Sequence, residues 1–257
     1  MAIFKETERI TLCGSFGDHE LRIEKAVPNS ANGIQLVFLH GVHSCANLTR
    51  GNKYRVLARE MCERGFTCWL TETTRKIHNR DDFKNAQPEW IKLAFSGKTY
   101  AQELADVKQA VQEIIKRING APLWLWGFSL GGISAVCCAA DADIKIDRLI
   151  VAGSGVYPRK KMEWMYNLPI MNTLRSDIDF NIGKHVKTES FIAFRGQFDE
   201  IFPLDACRKL YSQIKVKRGQ KLFYQLEGAD HAIRMRNGVQ DDSLLKIMAD
   251  IASGFER

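Results

Sequence analysis

The sequence predicts an α/β fold: a mainly parallel sheet with helices on both faces and an N-terminal antiparallel hairpin. Three observations lead there. Apolar runs of strand length alternate with stretches of helical period through most of the 257 residues. The central runs are apolar throughout, as strands covered on both faces read. The first two runs instead alternate apolar and polar residues, the pattern of a strand pair with one wet face.

The elements follow in order. Glu8 to Cys13 and Leu21 to Ala26 flank Gly14-Ser15-Phe16-Gly17-Asp18 and form the hairpin. Ile34 to Leu39 is a buried strand ending at His40-Gly41. An amphipathic helix over about Lys53 to Arg64 stops at Gly65, and strand Phe66 to Leu70 follows. Leu104, Val107, Val111, Ile114, Ile115 and Ile118 recur at helical spacing within Thr99 to Ile118, which Asn119-Gly120 ends. Strand Leu123 to Trp126 runs into helix Ser129 to Ala140. Arg148 to Val151 and Phe191 to Phe194 are further strands, and Leu204 to Ile214 is a helix. Lys221 to Leu226 is the last strand and Asp241 to Ala252 the closing helix. Strands alternating with helices imply right-handed βαβ units. With no repeat, low-complexity tract or linker, residues 1–257 read as a single domain with a small cap insertion at about 155–186.

Composition narrows the function classes. At 45% hydrophobic and 26% charged, the chain is neither disordered nor fibrous. Its net charge is +7, yet the basic residues form short clusters such as Arg159-Lys160-Lys161, and no long basic helix appears. That is the pattern of solvated faces, so no nucleic-acid partner is expected. Seven scattered cysteines, without a C-x-x-C pair or Cys/His metal spacing, indicate a reducing compartment: a cytoplasmic protein without disulfides or bound metal. No signal peptide is read in the first residues. Ala121 to Ala140 carries no charge and matches a bilayer in length. Pro122, Gly127, Ser129, Gly131 and Gly132 interrupt it, so a strand running into a helix is expected there, and no membrane span. Oligomeric state leaves no signature in the sequence.

The chemistry-bearing residues fall where the strands end. Gly127-Phe128-Ser129-Leu130-Gly131-Gly132 joins a strand to a helix and matches the G-x-S-x-G elbow in the context that motif requires. A nucleophile on so tight a turn brings the residues two before and two after it against neighbouring backbone, so both are glycine. The same string also describes a glycine-rich turn with a helix-capping serine; the strand-to-helix context favours the nucleophile.

A serine hydroxyl needs a base. Of six histidines, His231 in Glu227-Gly228-Ala229-Asp230-His231 follows the last strand and is the candidate. His40 is expected to shape its own loop. His43 stands between a structural place and the lining of a substrate pocket, and His19, His78 and His185 read as surface residues. The base needs a carboxylate partner. Asp199, in the loop after strand Phe191 to Phe194, is favoured, with its neighbour Glu200 as competitor. The chain order is then Ser, Asp, His. Backbone N–H groups of Leu130 and of Val42 are the expected oxyanion donors.

Together, His40-Gly41, Gly127 to Gly132, Gly196 with Asp199 and Pro203, and Gly228 to His231 resemble the α/β-hydrolase superfamily over nearly the whole chain. The sequence is most similar to compact bacterial carboxylesterases, including the cinnamoyl/feruloyl esterase-like group. The resemblance implies the α/β-hydrolase fold and hydrolysis of a small-molecule ester with no cofactor. One departure concerns the pocket rim: where many relatives carry Asp-x-x-Gly-x-Gly after the fourth strand, this chain has Thr71-Glu72-Thr73-Thr74-Arg75-Lys76.

Two long segments are candidates for specificity. Glu72 to Lys98 embeds Phe83, Trp90, Ile91, Leu93 and Phe95. Gly155 to Val186 carries Tyr157, Trp164, Met165, Tyr166 and Met171, and reads either as the cap over the serine or as a peripheral satellite core. In the first reading Trp164 and Met165, with His43, contact substrate, and Arg159-Lys160-Lys161 selects an anionic one. A thioesterase, acyltransferase or peptidase would use the same three residues, and a non-catalytic ligand-binding protein would leave them idle.

Overall fold

The computed structural model describes residues 4–78 and 87–255; Phe83 lies outside them. Eight strands form one sheet in the order β1-β2-β4-β3-β5-β6-β7-β8. β1 (Phe4–Cys13) and β2 (Glu20–Pro28) pair antiparallel, with Ile10 opposite Ile23, and β2 pairs antiparallel with β4 (Thr67–Glu72). From β4 onward every pairing is parallel: β3 (Gln35–Leu39), β5 (Leu123–Phe128), β6 (Arg148–Ala152), β7 (Thr188–Gly196) and β8 (Val216–Leu226). The predicted class, hairpin included, is the observed one.

Successive residues of the central strands feed two separate cores, which is why those strands read as unbroken apolar runs. Leu36 and Phe38 of β3, with Trp124 and Trp126 of β5, pack under α1 (Lys53–Glu63) and α7 (Asp242–Gly254). Val37, Leu39, Leu123 and Leu125 face the other way, toward α3 (Tyr100–Arg117), α4 (Leu130–Ala140) and α6 (Leu204–Gln213). Helix α3 is bounded by a capping box between Thr99 and Gln102, close to the predicted limits. Ala121 to Ala140 divides into β5 and α4 as expected, and among the described residues no helix is long and apolar enough to cross a membrane.

The chain leaves β3 for β4 on one side and returns to β5 on the other. This reversal opens a crevice beyond the carboxyl ends of β3 and β5, where open α/β sheets bind ligands.

The segment from Glu72 to Lys98 does not offer Trp90 or Phe95 to a ligand. It contains α2 (Gln87–Ala94), a helix the sequence reading left out, and Trp90 and Phe95 are 1% and 0% exposed in the core. Arg75 is buried too, donating to the Thr73 and Ser44 carbonyls with its guanidinium 5.2 Å from the Phe95 ring centre. Between β6 and β7 the chain forms 3-10 turns at Lys160–Asn167, Met171–Thr173 and Ile182–His185 around the short α5 (Leu174–Asp177).

Candidate active site

Ser129 sits between β5 and α4 with φ 52° and ψ −117°, a conformation a non-glycine residue adopts only when its surroundings enforce it. They do. The Ser129 N–H donates to the Ala152 carbonyl at 2.8 Å, and Ser154 Oγ donates to the Ser129 carbonyl at 2.9 Å. A Cβ on Gly127 would lie 2.2 Å from the Gly131 carbonyl oxygen, and one on Gly131 would lie 2.3 Å from that of His40. Both glycines are therefore steric requirements of the turn, as its spacing predicts.

Asp199 lies three residues past β7 and is 1% exposed. Its Oδ1 accepts from the N–H groups of Ile201 at 2.8 Å and Phe202 at 2.9 Å. Burial pushes the carboxyl up, but the His231 hydrogen bond and charge, with the two backbone N–H groups, hold it below the ordinary value. Glu200, the competitor, is 76% exposed and pairs with Lys161 at 3.7 Å instead.

His231 lies five residues past β8, against the Gly153 backbone (φ 58°), with its ring centre 5.7 Å from that of Phe202. Its Nδ1 is 3.1 Å from both Asp199 oxygens, and its Nε2 is 3.0 Å from Ser129 Oγ. An ionised carboxylate only accepts, so Nδ1 carries the proton and Nε2 is left to accept from the serine. The three predicted side chains stand in one hydrogen-bonded line at the carboxyl edge of the sheet.

No family model matches the chain, and no curated protein matches its sequence. Solved structures do resemble it. Dienelactone hydrolase from Anabaena variabilis covers 98% of this chain and 97% of its own, at 17% identity and a TM-score of 0.63. A soluble variant of monoglyceride lipase from Saccharomyces cerevisiae, bound to a substrate analog, covers 97% and 95%, at 13% identity and a TM-score of 0.67. A cold-adapted esterase from an Arctic intertidal metagenomic library covers 97% and 93%, at 15% identity and a TM-score of 0.64. The chain has the α/β-hydrolase fold.

Within this hydrolase fold, Ser129 opens into a narrow apolar slot. Val42 and Leu130 line it beside the serine, with Ile201 and Phe202 from the Asp199 loop. The segment between β6 and β7 adds Tyr157, Met165, Tyr166, Met171, Leu174 and Phe180, and among the described residues no charged side chain lines the slot. The slot is tight, with a free volume of about 20 Å³.

The expected substrate contacts divide. Met165 lines the slot; Trp164 is 54% exposed and does not, because the 3-10 turn carrying both points them to different sides. His43 is buried instead of lining the slot: its Nε2 donates to the Pro169 carbonyl at 2.9 Å, and its ring centre lies 5.0 Å from that of Phe95 with the planes tilted by 48°. His40 keeps the structural place expected of it, with Nδ1 2.8 Å from the Gly41 carbonyl and Nε2 3.3 Å from Thr73 Oγ1. The Thr71 to Lys76 stretch adds no side chain to the slot. Thr71 to Arg75 are all buried behind it.

Two features of the site escaped the sequence reading. Ser154 braces the elbow from the end of β6, where the small-residue triplet Gly153-Ser154-Gly155 was the available signal. Behind the His40 loop, Lys98 is fully buried, 2.6 Å from Glu103, 2.9 Å from Asp106 and 2.7 Å from the Thr74 carbonyl. A lone lysine in a polar stretch carries no signal of such burial. As for metal-type side chains, one group among the described residues comes together, Asp18, Glu20 and His78. There His78 Nε2 is 2.6 Å from Asp18, burial holds the His78 ring below its ordinary value, and Arg22 holds Glu20.

Proposed function

We propose that this chain is a serine hydrolase that cleaves small carboxylic esters through an acyl-enzyme, with Ser129 as nucleophile, His231 as base and Asp199 as its orienting partner. The observation that carries the reading is the line from Asp199 through His231 to Ser129, at 3.1 Å and 3.0 Å, with the serine in a strained elbow. His231 Nε2 takes the Oγ proton as Oγ bonds to the ester carbonyl carbon. The Leu130 and Val42 N–H groups face the oxygen that becomes negative. The carbon–oxygen bond to the alcohol then breaks, and the departing oxygen takes the proton from Nε2. Water repeats the sequence on the acyl-enzyme: it gives a proton to His231, bonds to the acyl carbon, and Ser129 leaves with that proton.

The apolar slot suits the acyl portion, and the β6–β7 segment acts as a small cap over it within a single catalytic domain. All seven cysteines are free, which supports a reducing, cytoplasmic location.

A fluorophosphonate probe tests the reading, together with a chain-length series of nitrophenyl esters. Labelling confined to Ser129, abolished in Ser129→Ala together with ester turnover, supports it. A folded protein that neither labels nor turns over any ester of the series overturns it.

A further inference from the structure

The slot at Ser129 is not the only concave surface at the triad. A wide cleft of about 580 Å³ opens on the other side of His231. Ile201 is a wall of both. The cleft is lined by four cations, Arg159, Lys161, Arg234 and Arg236, with Glu200 and Asp230 as its exposed or half-buried acids; Asp199 lies beneath His231. Asp230 holds Arg234 at 3.2 Å and Glu200 holds Lys161 at 3.7 Å. Among the described residues Arg159 and Arg236 have no carboxylate within ion-pair distance. Arg159 is fixed by the loop that holds Asp199: its N–H donates to the Ile201 carbonyl at 2.8 Å and its guanidinium to the Asp199 carbonyl at 3.3 Å. The Arg236 guanidinium lies 4.9 Å from the Phe198 ring centre.

The reaction assigns a part of the ester to each side. The proton that releases the alcohol comes from His231 Nε2, so the leaving oxygen departs on the histidine side. The acyl carbon stays on Ser129, in a slot without a charged side chain, where an anion would be desolvated with no partner. We propose that the leaving group is an alcohol or thiol bearing an anion, carboxylate or phosphate, held by Arg159 and Arg236 in this cleft. The proposal rests on the serine-hydrolase reading above. A planar guanidinium fork fits either anion in two-point contact, and fixed cations beside the reacting bond favour an anionic leaving group over a neutral one.

The test compares four aryl esters: phenyl acetate, 4-acetoxybenzoate, 4-acetoxyphenyl phosphate and monophenyl succinate. The last carries its charge on the acyl side. The wild-type protein is set against an Arg159→Ala/Arg236→Ala double variant. We expect the double variant to lose about ten-fold in kcat/KM on the two esters charged on the leaving side, mostly through KM. Because the Arg159 guanidinium also bonds the Asp199 carbonyl, phenyl acetate and monophenyl succinate set the baseline, and the loss on the two leaving-side esters is read relative to theirs. Which of the two leaving-side esters suffers the larger loss tells phosphate from carboxylate. Equal changes on all four esters, or a wild-type preference for monophenyl succinate over both leaving-side esters, overturn the proposal while the serine-hydrolase reading stands. Absence of turnover on every ester, together with absence of probe labelling at Ser129, removes that reading first.

Discussion

His43 Nε2 donates to the Pro169 carbonyl at 2.9 Å, tying the loop that carries Val42 to the segment that roofs the slot. The donor geometry requires an Nε2–H imidazole, and burial suits the neutral ring: it pushes His43 down from an ordinary value of 6.5 to about 4.

Acid should therefore weaken the fold through His43. Its folded pKa lies below its unfolded one, so the unfolded chain binds more protons between pH 6.5 and about 4, and stability falls as pH drops through that window. The His43 share approaches about 3 kcal/mol at the lower end. His40, also lowered by burial, adds to the slope. Asparagine tolerates the positive φ of 53°, so His43→Asn should flatten the acid limb of urea-unfolding stability by that amount. Equal slopes in both proteins would show that His43 is not the buried neutral group described.

Asp199→Asn keeps an oxygen for the Ile201 and Phe202 N–H groups, so the fold should hold. The amide can instead donate to His231 Nδ1, which favours the tautomer with the proton on Nε2, where it cannot accept from Ser129. The expected loss in kcat is on the order of 10³–10⁴-fold with KM little changed. An Asp199→Asn protein retaining more than about a tenth of wild-type kcat would rule out the orienting role.

Gly131→Ala places a methyl 2.3 Å from the His40 carbonyl oxygen, and helix α4 leaves it little room to move. We expect about 1–3 kcal/mol of destabilisation, and a larger fall in ester turnover than stability alone explains, because the displaced backbone carries Val42. Gly254→Ala, with nothing near its added methyl, is the neutral control in the same thermal melts. A Gly131→Ala protein as stable and as active as that control would refute the close approach.

Lys98→Met removes the cation that faces Glu103 and Asp106, both almost fully buried and both held below ordinary carboxylate values chiefly by that lysine against the opposing effect of burial. Leaving two carboxylates buried without their partner should cost about 3–5 kcal/mol in a denaturant titration. The triple variant Lys98→Met/Glu103→Gln/Asp106→Asn should recover part of that loss. If the triple variant were less stable than Lys98→Met alone, charge would not be what holds this cluster.

Features that depend on neighbours along the chain could be read from the residues alone. Strand runs covered on both faces must be apolar at every position, and Leu36 to Leu39 and Leu123 to Trp126 are. The elbow admits only glycine at 127 and 131, so its spacing is legible without coordinates. Features that depend on residues distant in sequence needed the folded chain. Trp90 and Phe95 go to the core, and the α2 stretch that carries Trp90 is only eight residues long, too short a window for a helical period to be read with assurance. Met165 turns into the slot and Trp164 out of it, because a 3-10 turn is set by the surface it packs on and not by a repeat of its own. His43, Lys98 and Arg159 took their places the same way: a hydrogen bond or an ion pair to a group far along the chain writes nothing into the residues on either side.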